Sequence, residues 1–424
     1  MDKQDARYAQ YVQIMKEELR PAMGCTEPIA LAYAAALARK ALGATPDRVL
    51  AEVSGNIIKN VKSVVVPHTG GLRGIKAAVA AGTAAGDAEA ELEVISNVTP
   101  VQIEEINRYL DTTEIEVRHV DTGHIFDISV TVYKADDEAQ VRITDYHTNV
   151  VLIRKNDEIL LQHEIVTQSD GLTDRSCLSV EGIVDFADSV DPKDVREVLE
   201  RQINYNMAIS EEGLRGDYGA NVGSTLLKGH EEELNYVLRA HAAAASDARM
   251  NGCELPVVIN SGSGNQGITS SVPVIVYARK TVKTEEELLR ALCVSALVTT
   301  HLKTGIGRLS AYCGAVSAGC GAGAGIAYLK GGRFEAVAHT IVNAVAIDSG
   351  IVCDGAKASC AAKIASAVDA GLVGLAMYES GNQFFGGDGF LKSSVEDTIA
   401  VVGRLARFGM KQTDEEIIRL MMED

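Results

Sequence analysis

The chain has 424 residues, 46% of them hydrophobic, enough for two domains or one large one around a sizeable core. Its 58 acidic residues outnumber 40 basic ones, giving a formal charge of −18 spread along the chain, a balance that argues against nucleic acid as a partner. The opening "MDKQDARYAQ" lacks the basic-then-apolar order of a secretory signal, so a cytoplasmic protein is expected, whose eight cysteines are reduced or metal-bound and form no disulfide framework.

Residues 1–86 read as mainly helical, with a β-like patch "SVVVPHTGGLRG" inside. Early in this stretch "PAMGCTEP" sets Cys25 between two prolines, where Thr26 can cap the helix that Pro28 opens. A helix N-terminus lowers a thiol's pKa and suits an anionic ligand, but a small residue in a tight turn explains the same cysteine. Between residues 88 and 165 the texture changes. "ELEVISNV" and "EIEVRHV" flank a helix-like "PVQIEEINRYL", and "DISVTVYKA", "AQVRITDY" and "VVLIRKN" alternate like strands. From Pro192 onward the pattern is helical again, with Gly/Ala-rich runs at 312–327 and 355–375 that let helix backbones approach closely. The uncharged run from Leu309 to Leu329 has membrane-spanning length but is weakly hydrophobic, and reads as buried helix. The expectation is an α+β protein: a mostly helical catalytic domain formed from both ends of the chain (1–86 and 169–424), with a smaller α+β unit (87–168) inserted. No membrane span is expected.

Two cysteine pairs carry the chemistry of the C-terminal half, Cys313 with Cys320 and Cys353 with Cys360. No C-x-x-C occurs, so zinc-ribbon and ferredoxin spacings are absent. On one unbroken helix a seven-residue gap separates the Cα atoms by about 10 Å, whereas the turn signal Asp354-Gly355 would let the later pair converge. Structural cysteine and metal ligand both remain open on spacing alone. His68 follows a β-like run and precedes paired glycines, as a strand-end side chain facing a cleft does, or as an ordinary loop histidine does. Residues 260–273, "NSGSGNQGITSSVP", offer hydroxyl, amide and glycine N–H groups, suited to an anion-binding nest or to a plain turn. "GCGAGAG" misses the dinucleotide spacing and reads as helix packing.

"AMGCTEPIALAYAAALA" together with "GIVCDGAKASCAAK" resembles the bacterial and archaeal L-cysteine desulfidase family, whose C-terminal part is related to the iron–sulfur L-serine dehydratases. The resemblance implies a lyase with a 4Fe-4S cluster that removes the β-substituent of a small amino acid without pyridoxal phosphate. L-cysteine would yield sulfide, ammonia and pyruvate; L-serine dehydration and a non-catalytic amino-acid-binding protein on the same fold are the alternatives. Carried over by position, the cluster ligands are Cys313, Cys353 and Cys360, with Cys320 structural. Related serine dehydratases carry a further cysteine at the chain end, where this chain reads "RLMMED", so one iron is expected to stay open. Cys25 and His68 are the candidate bases; Cys25 is also a candidate resting ligand of the open iron, and of its two roles the base is slightly favoured. Thr26, Glu27 and Thr69, with Ser263, Gly264, Asn265 and Gln266 of the loop, are the candidate substrate contacts. A pyridoxal-phosphate enzyme, which "SGSGNQG" also resembles, would need a Schiff-base lysine in a strand ahead of the loop, and none is there. The expected partner is a small-molecule amino acid, and the Gly/Ala-rich core leaves room for a homodimer.

Overall fold

A computed structural model of the protein describes residues 1–24, 26–165, 172–307 and 310–423. Asp5 caps helix α1 (Ala6–Glu18) by accepting from the Arg7 N–H, and strand β1 (Pro21–Met23) follows. Next come α2 (Thr26–Leu42), β2 (Arg48–Val53), α3 (Gly55–Val61) and α4 (Gly74–Ala85). Thr99 and Gln102 cap each other's backbone, with Pro100 in the first turn, and so start α5 (Pro100–Thr112). Five strands then run in succession: β3 (Glu114–His119), β4 (Asp127–Lys134), β5 (Asp137–Thr144), β6 (Val150–Lys155) and β7 (Glu158–Gln162). Helices α6 (Val180–Ser189), α7 (Pro192–Arg215), α8 (Val222–Leu227) and α9 (Leu234–Met250) precede the short β8 (Pro256–Val258). The rest is helical: α10 (Gly264–Lys280), α11 (Glu285–Ile306), α12 (Gly314–Leu329), α13 (Phe334–Ile347), α14 (Cys360–Glu379), α15 (Val395–Arg404) and α16 (Lys411–Met422).

A six-stranded sheet in the order β3-β2-β4-β5-β6-β7 forms the smaller unit, with β2 and β3 parallel and the other neighbours antiparallel. Val49, Ala51 and Val53 of β2 face Val132, Val130 and Ile128 of β4, so the period-2 apolar face is continuous across the central strands. The expected strands at "EIEVRHV", "DISVTVYKA", "AQVRITDY" and "VVLIRKN" are β3 to β6. Three readings are corrected. β2 lies within the stretch read as mainly helical. The patch "SVVVPHTGGLRG" holds only an isolated bridge, Val65 with Arg73, because the Pro67 to Gly71 turn closes it into a loop. "ELEVISNV" is a 3₁₀ turn around Ala88–Glu93 and bends, not a strand: its consecutive Val94 and Ile95 are both buried in one core, which a strand's alternating faces would prevent. Helices α2 and α4, expected with the helical part, share the sheet's core.

The larger, mostly helical domain draws on both chain ends, as expected: Tyr11, Ile14 and Met15 of α1 share a core with α6 to α15. Tyr11 meets Phe186 of α6 edge-on, ring centroids 5.4 Å apart. α12, within the run 309–329 anticipated as buried helix and turn, sits at the centre against α10, α11, α13 and α14. A Cβ on Gly319 would stand 2.1 Å from the Ala367 carbonyl oxygen, so only glycine permits the α12–α14 approach. Among the described residues α14 alone is long and apolar enough to cross a membrane, and it packs between α9, α12 and α13.

α16 returns to the smaller unit. Buried Lys59 of α3 pairs with Asp414, Lys62 donates to the Met421 carbonyl, and Ile418 lies against Gly55. Leaving Lys59 uncompensated is costly, so Asp414→Ala should lower unfolding stability by about 3 kcal/mol. Lys411→Ala, which removes only an exposed partner of Glu415, should change it by less than about 0.5 kcal/mol. Urea denaturation of the two variants checks this; equal midpoints would show that the Lys59 pair adds nothing.

Candidate active site

Between the two cores lies a cavity of about 130 Å³. Two backbone features set the thiols on its wall. Cys313 caps α12 and its N–H donates to the Ile351 carbonyl at 3.1 Å, while the Cys353 N–H donates to the Ala311 carbonyl at 2.6 Å. The Tyr312–Val352 bridge thus holds Cys313 beside Cys353 across forty positions of sequence. Gly355, at φ +92°, turns the chain so that Cys360 at the start of α14 reaches the same wall; a Cβ there would stand 1.8 Å from the Lys59 carbonyl oxygen. Cys320 is buried inside the α12 packing and does not line the cavity.

The electrostatics favour anions. The Cys313 thiol donates to Cys353, which is held well below the usual thiol range by that hydrogen bond and by the ammonium groups of Lys59 and Lys303. The same bond, with burial, pushes Cys313 up, and burial pushes Cys360 up. Lys303 is buried and drawn down to about 8 by desolvation, an effect partly offset by the Cys353 and Cys313 thiols. Soft thiolates beside buried cations suit an iron or iron–sulfur centre better than a hard-ion site. Among the described residues no three His, Cys, Asp or Glu side chains gather at the spacing of a single ion. A polynuclear cluster takes each thiolate on a separate iron and so asks for a wider set than a single ion does.

Opposite the thiols, the predicted loop opens α10. Ser263 caps the helix by accepting from the Gln266 N–H at 3.5 Å, and the Gln266 side chain lies against Gly314, one residue from Cys313. Asn265 Oδ1 accepts from Arg249 Nη1 at 3.1 Å, and Arg249 Nη2 donates to the Gly24 carbonyl at 2.9 Å. Thr26, Glu27, Ser263, Asn265 and Gln266 line the cavity with the three cysteines, and Gly264 lines the neighbouring pocket. Thr69, an expected contact, and His68, a candidate base, stand back from the wall. Thr69 is buried and donates to the Val66 carbonyl at 2.7 Å. His68 sits in a loop whose Pro67 touches Gly24, with Nδ1 2.9 Å from Glu254 Oε1 and a buried Nε2 without a partner among the described residues. Cys25 lies outside the described residues. Lys59, Lys303, Lys363, Arg249 and Tyr312 also line the cavity and were not anticipated; a lysine amid apolar helix residues, as in "NIIKNV", was the one sign available.

A family model described as serine dehydratase alpha chain matches residues 89–419. The chain belongs to the serine dehydratase alpha chain family. It is 57% identical to a UPF0597 protein of Desulfitobacterium hafniense over 100% of this chain and 98% of that one. A UPF0597 protein of Lachnoclostridium phytofermentans is 50% identical, covering 98% and 100% of the two chains, and one of Treponema denticola 48%, covering 99% of each. Membership in the serine dehydratase alpha chain family carries the lyase class; the relatives' names carry no substrate.

The two loop glycines of this serine dehydratase-like site play different parts. A Cβ at Gly264 would stand 2.3 Å from Arg249 Nε, whereas one at Gly267 would stand 2.0 Å from the Val258 backbone oxygen. Gly264→Val should therefore raise KM by about tenfold or more by displacing Arg249, with a smaller loss of melting temperature where the new side chain meets buried Val257. Gly267→Val should cost stability first, because its clash is with backbone that cannot swing aside. Steady-state kinetics with thermal melts separate the two, and an unchanged KM in Gly264→Val would reduce the loop to a turn.

Proposed function

We propose that the protein is a pyridoxal-phosphate-independent lyase that eliminates the β-substituent of a small amino acid, acting in the cytoplasm on L-cysteine to give sulfide, ammonia and pyruvate. The observation carrying this reading is the meeting of three thiols, two buried lysines and the polar start of α10 on one cavity. Cys313, Cys353 and Cys360 would hold a 4Fe-4S cluster, which when bound supplies a Lewis-acidic iron for the leaving group. Lys59 and Lys303 offset the negative charge that three thiolates bring into a buried place.

The polar groups of Ser263, Asn265 and Gln266, with the first N–H groups of α10, orient the substrate. His68, whose loop reaches Gly24 through Pro67 although it does not line the cavity, is one candidate for taking the Cα proton, and Cys25 is the other. The His68 Nδ1 faces Glu254, which favours the tautomer with Nε2 free as the acceptor, and the left-handed backbone at His68 (φ 57°) is strain of the kind that accompanies function. Loss of the Cα proton and of the β-substituent leaves aminoacrylate, which water converts to pyruvate and ammonia.

L-serine dehydration is the second reading, favoured by the family match. Product analysis on protein purified without oxygen decides between them. Sulfide and pyruvate from L-cysteine, with a kcat/KM well above that for L-serine, support the desulfidase; pyruvate from L-serine alone supports the dehydratase. No turnover of either by protein with stoichiometric iron would sink both.

A further inference from the structure

We infer that Arg249 is the receptor for the α-carboxylate of the substrate, so that the site selects amino acids with a free carboxylate and rejects thiols or esters that lack one. The inference rests on the amino-acid lyase reading and names what that reading leaves open, the basis of substrate choice.

Arg249 stands in the last turn of α9, where the helix dipole offsets part of its charge, and only 9% of its surface is exposed. Its partners are neutral: Asn265 Oδ1 and the Gly24 carbonyl each take one N–H, and among the described residues Nε has no acceptor. Among the described residues no carboxylate lies within ion-pair distance of it. A buried guanidinium left in that state is costly, and a bound anion removes the cost.

The surroundings suit one particular anion. Asn265 holds Nη1, Gly24 holds Nη2, and Gly264 beside Nε leaves no room for a Cβ, so two separate segments, the start of α10 and the Gly24 turn, fix the guanidinium plane in advance. Gly264 and Asn265 are also the first residues of α10, where N–H groups precede the intrahelical bonds and point at any anion docked there. A planar fork facing such a helix start matches a carboxylate's two oxygens. Arg249, Thr26 and Gly262 line both the thiol cavity and an adjoining pocket of about 590 Å³, which places the guanidinium where the two spaces join. A small amino acid whose carboxylate rests there extends its β-substituent toward the cysteines.

The test compares L-cysteine with cysteamine and L-cysteine methyl ester in wild type, Arg249→Gln and Arg249→Lys. In the iron-loaded enzyme Arg249→Gln should lower kcat/KM for L-cysteine by roughly 100-fold and leave that for L-cysteine methyl ester within about threefold, with Lys restoring part of the loss. Should the Arg249 variants fail to fold, Asn265→Asp serves instead. It is nearly isosteric, gives the guanidinium an internal carboxylate, and should abolish the preference for L-cysteine while keeping the fold. Calorimetry on apoprotein under argon supplies a readout independent of turnover: wild type should bind L-cysteine at least tenfold tighter than cysteamine, and Arg249→Gln should bind the two alike. Equal losses for both ligands, or a preference that survives Arg249→Gln and Asn265→Asp, would overturn the assignment. Carboxylate-dependent binding without any elimination would uphold Arg249 and refute the lyase reading.

Discussion

Cys353→Ser is expected to strip the protein of iron and acid-labile sulfide and to abolish turnover, with the fold retained. Under the proposed function Cys353 is the readiest of the three ligands, because Cys313 donates to it and the Lys59 and Lys303 ammonium groups favour its thiolate. A serine hydroxyl fills nearly the same space but is a harder, far weaker acid, and stays protonated beside the same lysines. The loss should exceed the roughly 10- to 100-fold drop in metal affinity that follows loss of a supporting outer-shell group. Cys320→Ser is the matched control, since Cys320 is buried in helix packing away from the cavity, and it should keep its iron. Iron and sulfide assays on protein purified without oxygen provide the measurement. Undiminished iron in Cys353→Ser would remove this residue from the ligand set, and stoichiometric pyridoxal phosphate without iron would end the cluster reading.

His68→Asn should lower kcat by about 10²- to 10⁴-fold at unchanged iron content, the usual span for losing a positioned base. Asparagine is the informative replacement. It tolerates the left-handed backbone at position 68, so the loop can persist while the proton acceptor is gone. Glu254→Gln, which keeps a partner for Nδ1 but not its charge, should show a smaller loss. Near-normal turnover in His68→Asn would reduce the His68–Glu254 contact to a loop clamp; loss of turnover in Cys25→Ser with iron intact would then assign the proton to Cys25.

Much of the architecture was legible because its causes are local. A reciprocal cap spans three residues, so Thr99 with Gln102 announces α5 in the sequence itself, and side-chain alternation announces β4 and β5. The small residues of α12 likewise announce a buried helix wherever its partners lie. Local pattern misled where a neighbour decides the outcome. "RVLAEV" becomes central strand β2 because β3 and β4 supply its hydrogen bonds, while "ELEVISNV" folds into turns because its adjacent apolar pair enters one core.

The candidate site divides in the same way. The sequence by itself determined which cysteines could share a wall, since the Gly355 turn and the start of α14 bring Cys353 and Cys360 together within eight residues, and it marked the polar opening of α10. Tertiary structure alone decided what faces them. Lys59, Arg249 and Lys303 come from α3, α9 and α11, and in sequence nothing distinguishes them from lysines and arginines that reach solvent. Their charge is brought out of water only by packing of helices hundreds of residues apart, and it is this desolvation that makes the cavity a place for anions.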